Sequence, residues 1–349
     1  MVKLAFRVNA NFNTGSGHLQ RCLSLASGLK ETEPSYEIFF LTSESSEYSE
    51  KINAAGYAHI DLGRITSSYH DAETTSDAIG KHGIDILIVD SYAMDEGYLE
   101  SIKEQVSLLV VFDDYMHLKM YHAHIIVNPN IYAHTLDYPC DGDTALLLGA
   151  DYAQLRKEFD DYQESERSNP DNAKHILVTF GGSDLRGGTI LTVKALKRLD
   201  KRFLATLIIG KAFRDGEALA REIGLDPRFM ILQDVPDMAK RMATADIAVA
   251  SPSTTFYELM LFRIPSILIT QADNQEMIAH YAGMNGLAVC LGDISKVDPA
   301  NLGKVLDRLI GDKTERDRMS ARIDGLVDGM GRFRLAEEIL RVYAGLEKP

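Results

Sequence analysis

The chain has 349 residues, of which 45% are hydrophobic and 25% are charged. These proportions are typical of a folded protein with a packed core, and they exclude a collagenous, low-complexity or largely disordered chain. Lys and Arg number 37 against 51 Asp and Glu, so the formal net charge is −14. A chain this acidic lacks the field that attracts nucleic acid or an anionic membrane, so an anionic ligand would need a small local site.

The first apolar run, residues 4–8, is too short for the core of a signal peptide and predicts a strand. No stretch approaches the ~18 uninterrupted apolar residues of a membrane span, so we expect none. Cys22, Cys140 and Cys290 are scattered and form no CxxC pair. This pattern favours a reduced, cytoplasmic protein without disulfides.

Short apolar runs rich in β-branched residues alternate with helix-length segments along the chain. The predicted strands after the first are 38–41, 84–89, 108–112, 125–127, 176–180, 204–209, 229–232, 247–250 and 266–269. The predicted helices include 17–29, 94–105, 188–199, 215–223 and 274–281. This alternation predicts an α/β fold with buried parallel strands and right-handed crossovers.

A polar segment at 162–172 separates two such sets of elements. We therefore expect two Rossmann-like domains, 1–160 and 173–330, facing each other across a cleft. The remainder, 331–349, holds an amphipathic segment at 334–346 that predicts a C-terminal helix. Because ligands of such sheets bind at the carboxyl ends of strands, we expect the cleft to be the binding site.

A glycine-containing loop follows the first predicted strand. Gly15 and Gly17 allow a tight turn and a close approach to a ligand, and His18 stands where the next helix begins. The positive helix end disfavours a second positive charge, so we expect a neutral imidazole suited to take a proton from water. The loop could equally serve packing alone. A dinucleotide fingerprint is excluded because Gln20 replaces its third glycine.

Polar residues also follow two later strands of the first half. Asp90 and Tyr92 come after one strand, and Asp113, Asp114 and Tyr115 come after the next. Such positions at carboxyl strand ends can present chemistry, although an Asp there can also cap a helix or turn. The ligand spacing of a metal site is absent, so we expect neither a metal nor another cofactor.

Two loops of the second half carry groups suited to a nucleotide. Gly181, Gly182 and Ser183 follow the strand at 176–180, where a glycine pair and a hydroxyl suit backbone capture of phosphate or ribose. The string 251–258 places four Ser and Thr hydroxyls at a probable helix start, with Glu258 able to accept bonds from ribose. The alternative for this string is an ordinary helix cap with a capping-box glutamate.

Two amides follow the strand at 266–269. Asn274 and Gln275 stand at the start of a predicted helix. Amide side chains both donate and accept hydrogen bonds, which suits sugar hydroxyl and acetamido groups. As an isolated pair they form a weak signal.

Together these motifs resemble the nucleotide-sugar hydrolases of the pseudaminic acid pathway, which are related to spore-coat polysaccharide proteins and MurG-type glycosyltransferases. The matching motifs run in the family's order: Arg7…Gly15-x-Gly17-His18-x-x-Arg21, Asp90-x-Tyr92, Asp113-Asp114, Asn128-Pro129, Gly149-x-x-Tyr152-x-x-Leu155-Arg156, Phe180-Gly181-Gly182-Ser183-Asp184, the string 251–258, Asn274-Gln275 and Asp328-Gly329-x-Gly331. The resemblance covers nearly the whole chain.

The resemblance implies a glycosyltransferase-B architecture and metal-independent hydrolysis of a UDP-linked diacetamido-trideoxy-hexose, with inversion at the anomeric carbon. It further implies the following roles: His18 as the water-activating base, Tyr92 and Asn274 beside the sugar, Gly181, Gly182, Ser183, Ser253 and Thr254 around the diphosphate, Glu258 on the ribose, and Arg7, Asn9, Gly15, Gly17, Arg21 and Gln275 in substrate binding.

The chain departs from the family pattern at Asn9, where the family has Asp, and at Leu185, where it tends to have Pro. If that Asp orients the histidine, Asn9 would weaken the base or change the sugar or acceptor. Two other functions therefore stay open: a glycosyltransferase that uses the same donor, and a non-catalytic nucleotide-sugar binding protein. Neither the exact sugar and nucleotide nor the oligomeric state follows from these motifs.

Overall fold

The structure is a computed structural model that describes residues 1–8, 17–43, 46–163 and 167–346. It divides into two compact units. Unit 1 comprises Met1–Lys157 and Gly329–Pro349, and unit 2 comprises Glu158–Asp328. The predicted site residues Asn9 and Gly15 lie outside the described residues.

The strands of the described residues are β1 (Lys3–Val8), β2 (Glu37–Thr42), β3 (Ala58–Asp61), β4 (Ile86–Asp90), β5 (Leu108–Phe112), β6 (Ile125–Asn128), β7 (Ala145–Leu148), β8 (His175–Thr179), β9 (Leu204–Ile209), β10 (Phe229–Gln233), β11 (Ile247–Ala250), β12 (Ser266–Thr270) and β13 (Val289–Asp293). Every predicted strand is present, and for β5, β9 and β11 the first and last residues are the predicted ones.

The α-helices of the described residues are α1 (Gly17–Thr32), α2 (Ser46–Ala54), α3 (Ser68–His82), α4 (Glu96–Lys103), α5 (Gly188–Lys197), α6 (Gly216–Ile223), α7 (Met238–Ala243), α8 (Thr254–Leu261), α9 (Glu276–Met284), α10 (Pro299–Gly311), α11 (Lys313–Ile323) and α12 (Gly331–Leu346). None of them combines the length and apolar character needed to cross a bilayer.

Both sheets are parallel and doubly wound. Unit 1 has a seven-stranded sheet in the order β3-β2-β1-β4-β5-β6-β7, and unit 2 has a six-stranded sheet in the order β10-β9-β8-β11-β12-β13. The strand order reverses beside β1 in unit 1 and beside β8 in unit 2, and such reversals are where ligands of open α/β sheets bind. In unit 1 this point lies at the carboxyl ends of β1 and β4.

Alternate residues of β1 enter two different cores. Leu4, Phe6 and Val8 pack with residues of α1 and α12 on one face of the sheet. Ala5 packs with residues of α3 and α4 on the other face. Because both faces are buried, Leu4, Ala5 and Phe6 form a continuous apolar run rather than an alternating pattern.

The last helix, α12, packs on α1 of unit 1. One glycine in α1 and one at the start of α12 allow close backbone contacts of this helix. A Cβ at Gly28 of α1 would lie 2.9 Å from the Arg332 carbonyl oxygen, and one at Gly331 would lie 2.3 Å from that of Ala153. The contact places Leu335 and Ile339 in the core of unit 1.

The start of unit 2 includes much of the polar segment predicted as a linker. The chain forms a 3₁₀ helix at Lys157–Tyr162, from which Phe159 packs against Phe262 with ring centroids 6.0 Å apart. Arg167 then donates to the carbonyls of Ala245 and Asp246 at 3.0 and 2.8 Å. These contacts attach the polar segment to unit 2.

Candidate active site

The centre of the site in unit 1 is a pair formed by His18 and Asp90. His18 stands in the first turn of α1, Asp90 is the last residue of β4, and Nδ1 of the ring lies 2.6 Å from Oδ1 of the carboxylate. Asp90 is fully buried. Since an ionised carboxylate can only accept, this distance places a proton on Nδ1, so Nε2 is the nitrogen through which the ring can exchange a proton with a ligand.

Arg21 holds the carboxylate of this pair in its ionised form. Its Nε and Nη2 both donate to Asp90 at 2.6 Å, one to each carboxylate oxygen. Burial alone would raise the pKa of Asp90, but Arg21 and His18 outweigh burial and hold that pKa well below its ordinary value. Asp90 is therefore an anion at neutral pH, able to stabilise a positive charge on His18.

Arg21 also connects Asp90 to a second carboxylate. Its Nη1 donates to Asp114 Oδ1 at 2.8 Å, and its guanidinium lies 5.0 Å from the centroid of the Phe112 ring. Burial would lower the pKa of Arg21, yet Asp114 and Asp90 together raise it well above its ordinary value. Arg21 was predicted to bind substrate; in the structure its side chain organises His18, Asp90 and Asp114 instead.

Tyr92 completes this cluster. Its hydroxyl donates to Asp114 Oδ2, and its ring meets the His18 ring edge-on, with centroids 4.7 Å apart and planes at 85°. Burial and the neighbouring Asp114 raise the pKa of Tyr92 far above its ordinary value, so the phenol stays protonated. The half-exposed Tyr115 lies beside it at 5.2 Å between centroids, which forms an aromatic surface next to His18.

Asp114 has further partners in the segment 128–132, to which the sequence assigned no role. Asn130 Nδ2 donates to its carboxylate at 2.9 Å, and Asn128 Nδ2 donates to its main-chain carbonyl at 3.1 Å. Tyr132 donates to the same carbonyl at 2.5 Å. The amides of Asn128 and Asn130 thus fix the loop that carries Asp114. The useful signal was two asparagines directly after a buried strand.

Asp113, the neighbour of Asp114, binds a different set of groups. It lies 2.6 Å from His117 Nδ1 and accepts from the hydroxyls of Tyr121 and Tyr138 at 2.7 and 2.9 Å. It also accepts the Met116 N–H at 2.5 Å, where Met116 has a φ of 57°. Asp113 thus closes a strained turn, which is the structural alternative considered for these carboxylates.

Arg7 does not join the His18 cluster. Its Nε and Nη2 form a bidentate pair with Asp71 of α3 at 2.8 and 2.7 Å, and its Nη1 donates to the Val8 carbonyl at 2.9 Å. Arg7 and Asp71 are both buried. This arrangement ties β1 to α3 and favours a structural role for Arg7 over the predicted role in substrate binding.

Gly17 is the first residue of α1, and a Cβ there would meet nothing within 4 Å. Packing inside the described structure therefore does not require a glycine at this position. Asn9 was expected to matter if the family's Asp orients the histidine. Residue 9 lies outside the described range; among the described residues, Asp90 is a carboxylate that contacts the His18 ring.

In unit 2, the glycine loop after β8 is held by Asp184. Gly181 has a φ of 80°, and Gly181 and Gly182 are exposed while Ser183 is half-buried. Asp184 accepts the N–H groups of Gly188 and Thr189 at 2.8 Å each, which caps α5. Two of the free N–H groups of α5 are thus already satisfied, and the exposed glycine backbone remains the part of the loop open to a ligand.

The string 251–258 forms the start of α8. Ser253 is the N-cap residue, but its side chain makes no capping bond, and Thr254 is exposed. Glu258 is buried in the second turn, so it is not the N3 residue of a capping box, and that alternative is wrong. Ser251 Oγ is buried without a hydrogen-bond partner among the described residues. Such a group points to a water or a ligand.

Asn274 and Gln275 lie in a 3₁₀ turn, Asp273–Gln275, directly before α9. Asn274 is exposed, whereas Gln275 Oε1 accepts the Gln271 N–H at 2.8 Å. Gln271 in turn donates from Nε2 to Asp184 Oδ1 at 2.7 Å. The loop after β12 is thus joined to the glycine loop after β8, and Gln271, which sequence analysis missed, makes the connection.

The structure therefore sorts the predicted residues into two groups. His18, Arg21 and Tyr92 meet around Asp90 and Asp114 in unit 1. In unit 2, Gln271 joins the glycine loop after β8 to the loop after β12, which contains Asn274 and Gln275. Ser253, Thr254 and Glu258 lie at the start of α8 in the same unit. Among the described residues no group of three or more His, Cys, Asp and Glu side chains could hold a metal ion.

Several known proteins align with most of this chain, and two of them have names that describe a role. One is the spore coat polysaccharide biosynthesis protein SpsG of Bacillus subtilis, 24% identical over 343 residues, which are 96% of this chain and 97% of that protein. The other is the UDP-2,4-diacetamido-2,4,6-trideoxy-beta-L-altropyranose hydrolase of Campylobacter jejuni, 24% identical over 310 residues, 82% of this chain and 98% of the hydrolase. No family model matches the sequence.

Among solved structures, MurG of Acinetobacter baumannii superposes with a TM-score of 0.71 at 13% identity, over 97% of this chain and 99% of MurG. The chain is a homologue of SpsG and of the hydrolase, and it has the glycosyltransferase-B fold. The parallel sheets of seven and six strands are the two α/β halves of this fold. The resemblance and the fold class expected from the sequence are both confirmed.

Proposed function

We propose that this protein hydrolyses a UDP-linked sugar to UDP and the free sugar, with His18 as the general base. The observation that carries the proposal is the 2.6 Å contact between His18 Nδ1 and the buried carboxylate of Asp90. A histidine held in this way has a defined tautomer, with Nε2 available to accept a proton. The homologous hydrolase supports the same chemistry.

In the proposed step, His18 Nε2 takes a proton from a water molecule while the water oxygen forms a bond to C1 of the sugar. The bond between C1 and the diphosphate oxygen breaks, and its electron pair leaves with UDP. Attack opposite the leaving group inverts the configuration at C1. Asp90, kept ionised by Arg21, stabilises the imidazolium that forms.

The remaining residues of the cluster act on the sugar and on the geometry of the base. We assign Tyr92 and Tyr115 to contacts with the sugar, because their rings form a partly exposed surface next to His18. Asp114 fixes Tyr92 and Arg21 together. General-base catalysis contributes about 10²–10⁴ to a rate, so positioning and stabilisation of the leaving group supply the rest.

Unit 2 is proposed to bind the nucleotide. Three features support this assignment: the exposed Gly181-Gly182 backbone, the start of α8 where the Ser253 side chain makes no capping bond, and the Ser251 hydroxyl, which has no hydrogen-bond partner among the described residues. Together they bind phosphate through N–H and O–H groups and need no lysine. Glu258 is assigned to the ribose hydroxyls, and Asn274 to the sugar.

The finer proposal is that the sugar is a diacetamido-trideoxy-hexose, and that the enzyme acts in the biosynthesis of pseudaminic or related nonulosonic acids. It rests on the name of one homologue. The exposed amide of Asn274 suits an acetamido group, since it can donate to the carbonyl and accept from the N–H.

The test is to incubate the purified protein with UDP-sugars and no acceptor, following UDP by phosphorus NMR and the anomeric configuration by proton NMR. UDP-2,4-diacetamido-2,4,6-trideoxy-β-L-altropyranose is the probe, and UDP-N-acetylglucosamine is the comparison. We expect release of UDP and of the inverted sugar, and a loss of about 10²–10⁴-fold in His18→Ala. Affinity for UDP should remain. His82→Ala, at the end of α3, is the matched control.

A second candidate is a glycosyltransferase that uses the same donor. The observation in its favour is the likeness to MurG over nearly the whole chain. The same base would then deprotonate an acceptor hydroxyl instead of water. UDP release that requires an added acceptor would support this candidate and contradict hydrolysis, while stoichiometric binding without release would contradict both and favour a binding protein.

A further inference from the structure

The outer edge of β10 is an open surface of unit 2. β10 is the terminal strand of the six-stranded sheet and pairs with β9 on one side. In the described part of the chain no strand pairs with its other side. Such an edge offers a row of N–H and C=O groups to another strand.

The backbone bonds show which residues of β10 face outward. Ala205 N–H donates to the Arg228 carbonyl at 2.7 Å, and Asp234 N–H donates to the Ile209 carbonyl at 3.0 Å. In a parallel ladder alternate residues bond to the same neighbour, so 228, 230, 232 and 234 face β9. Phe229, Ile231 and Gln233 direct their backbone groups to the open side. The N–H of Phe229 has only a 3.5 Å contact with the Asp226 carbonyl.

The side chains along this edge are unusually apolar for an exposed position. Met230 and Ile231 are 43% and 40% exposed, and Leu225, shortly before the strand, is fully exposed. The strand Phe-Met-Ile-Leu-Gln contains neither a charge nor a proline. Natural edge strands usually carry such residues because these oppose pairing with another chain.

We propose that two copies of this chain associate by antiparallel pairing of β10 about a two-fold axis at Ile231. In this register Ile231 pairs with its own counterpart, and Phe229 pairs with Gln233 of the other copy. Phe229, Ile231 and Gln233, whose backbone groups point to the open side, then all lie in hydrogen-bonded pairs. In any other two-fold register of β10 at least one of these three residues has no partner within the strand.

The charges that flank the strand are compatible with the same register. Within each copy Arg228 is paired with Asp226, and Asp234 is paired with Lys211. In this register Arg228 of one copy comes opposite Asp234 of the other, so opposite rather than like charges face each other at each end. The Asp234 side chain is more than half exposed. The pairing also places Met230 against Leu232 of the second copy, so apolar groups meet between the charged ends.

The other open edges are less suited to self-pairing. β13 contains Gly292 with a φ of 77° and a register shift against β12. β3 carries the charge of Asp61 within the strand. In β7, the register that pairs Leu146 with Leu148 sets Asp143 against Asp151 of the other copy. Like charges opposite each other destabilise such pairs.

Sedimentation velocity on the full chain tests the proposal, over roughly 10 µM to 1 mM because interfaces below about 1,200 Å² are weak. We expect a monomer–dimer equilibrium in the wild type. Ile231→Lys and Ile231→Asp each bring like charges together on the axis and should raise the dissociation constant at least ~10-fold. An equimolar mixture of the two variants should associate again. Met284→Lys, at an exposed apolar position of unit 2, is the matched control.

Hydrogen exchange gives a second measurement. The N–H groups of Ile231 and Gln233 should become protected as the wild-type concentration rises, and should stay unprotected in Ile231→Lys. Circular dichroism verifies that each variant is folded. A wild type that stays monomeric over the whole range overturns the proposal, and so does dimerisation that Ile231→Lys leaves unchanged or that the mixed variants fail to restore.

Discussion

At the scale of single residues, the functional argument depends on which charged groups meet. His18 and Asp90 could be named from their places at a helix start and after a strand, and Arg21 from the family resemblance. The structure adds that Asp90 and Arg21 touch each other at 2.6 Å and that both lie against the His18 ring. Asp90 is thereby a positioning residue, acting through the histidine rather than on the substrate.

Asp90→Asn keeps the size of the side chain but removes its charge. It also replaces one of the two acceptor oxygens with an N–H donor, so the side chain no longer fixes the proton on His18 Nδ1. We expect kcat for UDP release to fall by about 10²–10⁴-fold, with UDP affinity changed little. Stopped assays of UDP release and calorimetric UDP titrations measure the two effects.

The control is Asp71→Asn, which disturbs a buried ion pair of the same unit, that with Arg7. It should lower stability and leave kcat close to the wild-type value once folded protein is counted. Equal losses of kcat in both variants would show that Asp90 acts only through stability.

The same cluster predicts how stability depends on pH. Burial alone would raise the pKa values of Asp90 and Asp114, but Arg21 holds both below the ordinary value. Between that ordinary value and the lower folded one, the unfolded chain binds more protons, so acid lowers the free energy of unfolding. The loss therefore begins below about pH 4, the pKa of Asp in unfolded chains.

Urea unfolding between about pH 5 and 2.5 measures this dependence. We expect the free energy of unfolding to decline less steeply in Asp90→Asn, because one carboxylate with a depressed pKa is gone. Asp77→Asn, at an exposed position of α3, provides the comparison and should follow the wild type. An unchanged slope in Asp90→Asn would mean that Arg21 does not hold this carboxylate ionised.

At the scale of elements, most strands of the protein were predictable from the sequence, and the three missed strands share one cause. β4 and β5 are buried at every position, so their sequences are continuous apolar runs. The missed strands β3, β7 and β13 are sheet edges with partly exposed residues. An edge strand buries less surface and needs fewer apolar residues, so its sequence differs little from that of a loop.

Asp184 links element structure to the proposed nucleotide site. Asp184→Ala removes the cap of α5 and the acceptor of Gln271, leaving two backbone donors of Gly188 and Thr189 unsatisfied. We expect a loss of about 1–3 kcal/mol in stability and a UDP affinity weakened at least ~10-fold, because the glycine loop loses its anchor. Urea denaturation measures the loss of stability, and calorimetric titration measures the affinity for UDP.

The matched control is Asp298→Ala, which removes the cap of α10 in the same unit. Asp298 accepts from Ala300 and Asn301 at 2.8 and 2.9 Å. It should cost about 1 kcal/mol of stability and leave UDP affinity unchanged. Equal UDP affinities in both variants would remove Asp184 from the proposed site.

At the scale of the whole molecule, unit 1 is built from two stretches of the chain that are far apart in the sequence. Unit 1 is completed by α12, which follows the whole of unit 2 in the sequence. Leu335 and Ile339 of this helix are buried with residues of β1 and α1. An amphipathic pattern at 334–346 predicted the helix but left open the surface that it covers, because its apolar face suits either half.

Leu335→Ala in α12 should therefore destabilise unit 1, although residue 335 follows unit 2 in the sequence. A fully buried leucine replaced by alanine costs about 2–5 kcal/mol. Hydrogen exchange in moderate urea, read by mass spectrometry, should show faster exchange in residues 1–157 than in 158–328. Leu306→Ala, equally buried in α10 of unit 2, should give the reverse pattern. The same pattern in both variants would contradict the assignment of α12 to unit 1.

The sequence by itself determined the fold class, most strands, the family resemblance and the candidate histidine. These follow from local patterns: strands buried on both faces need continuous apolar runs, and catalytic groups lie where such runs end. Only the tertiary structure decided the partners of each charge. Arg7 pairs with Asp71, 64 residues away, while Arg21 pairs with Asp90 and Asp114, 69 and 93 residues away. Many other carboxylates were available in so acidic a chain. The parallel sheet selected these because it brings the ends of β4 and β5 beside the start of α1.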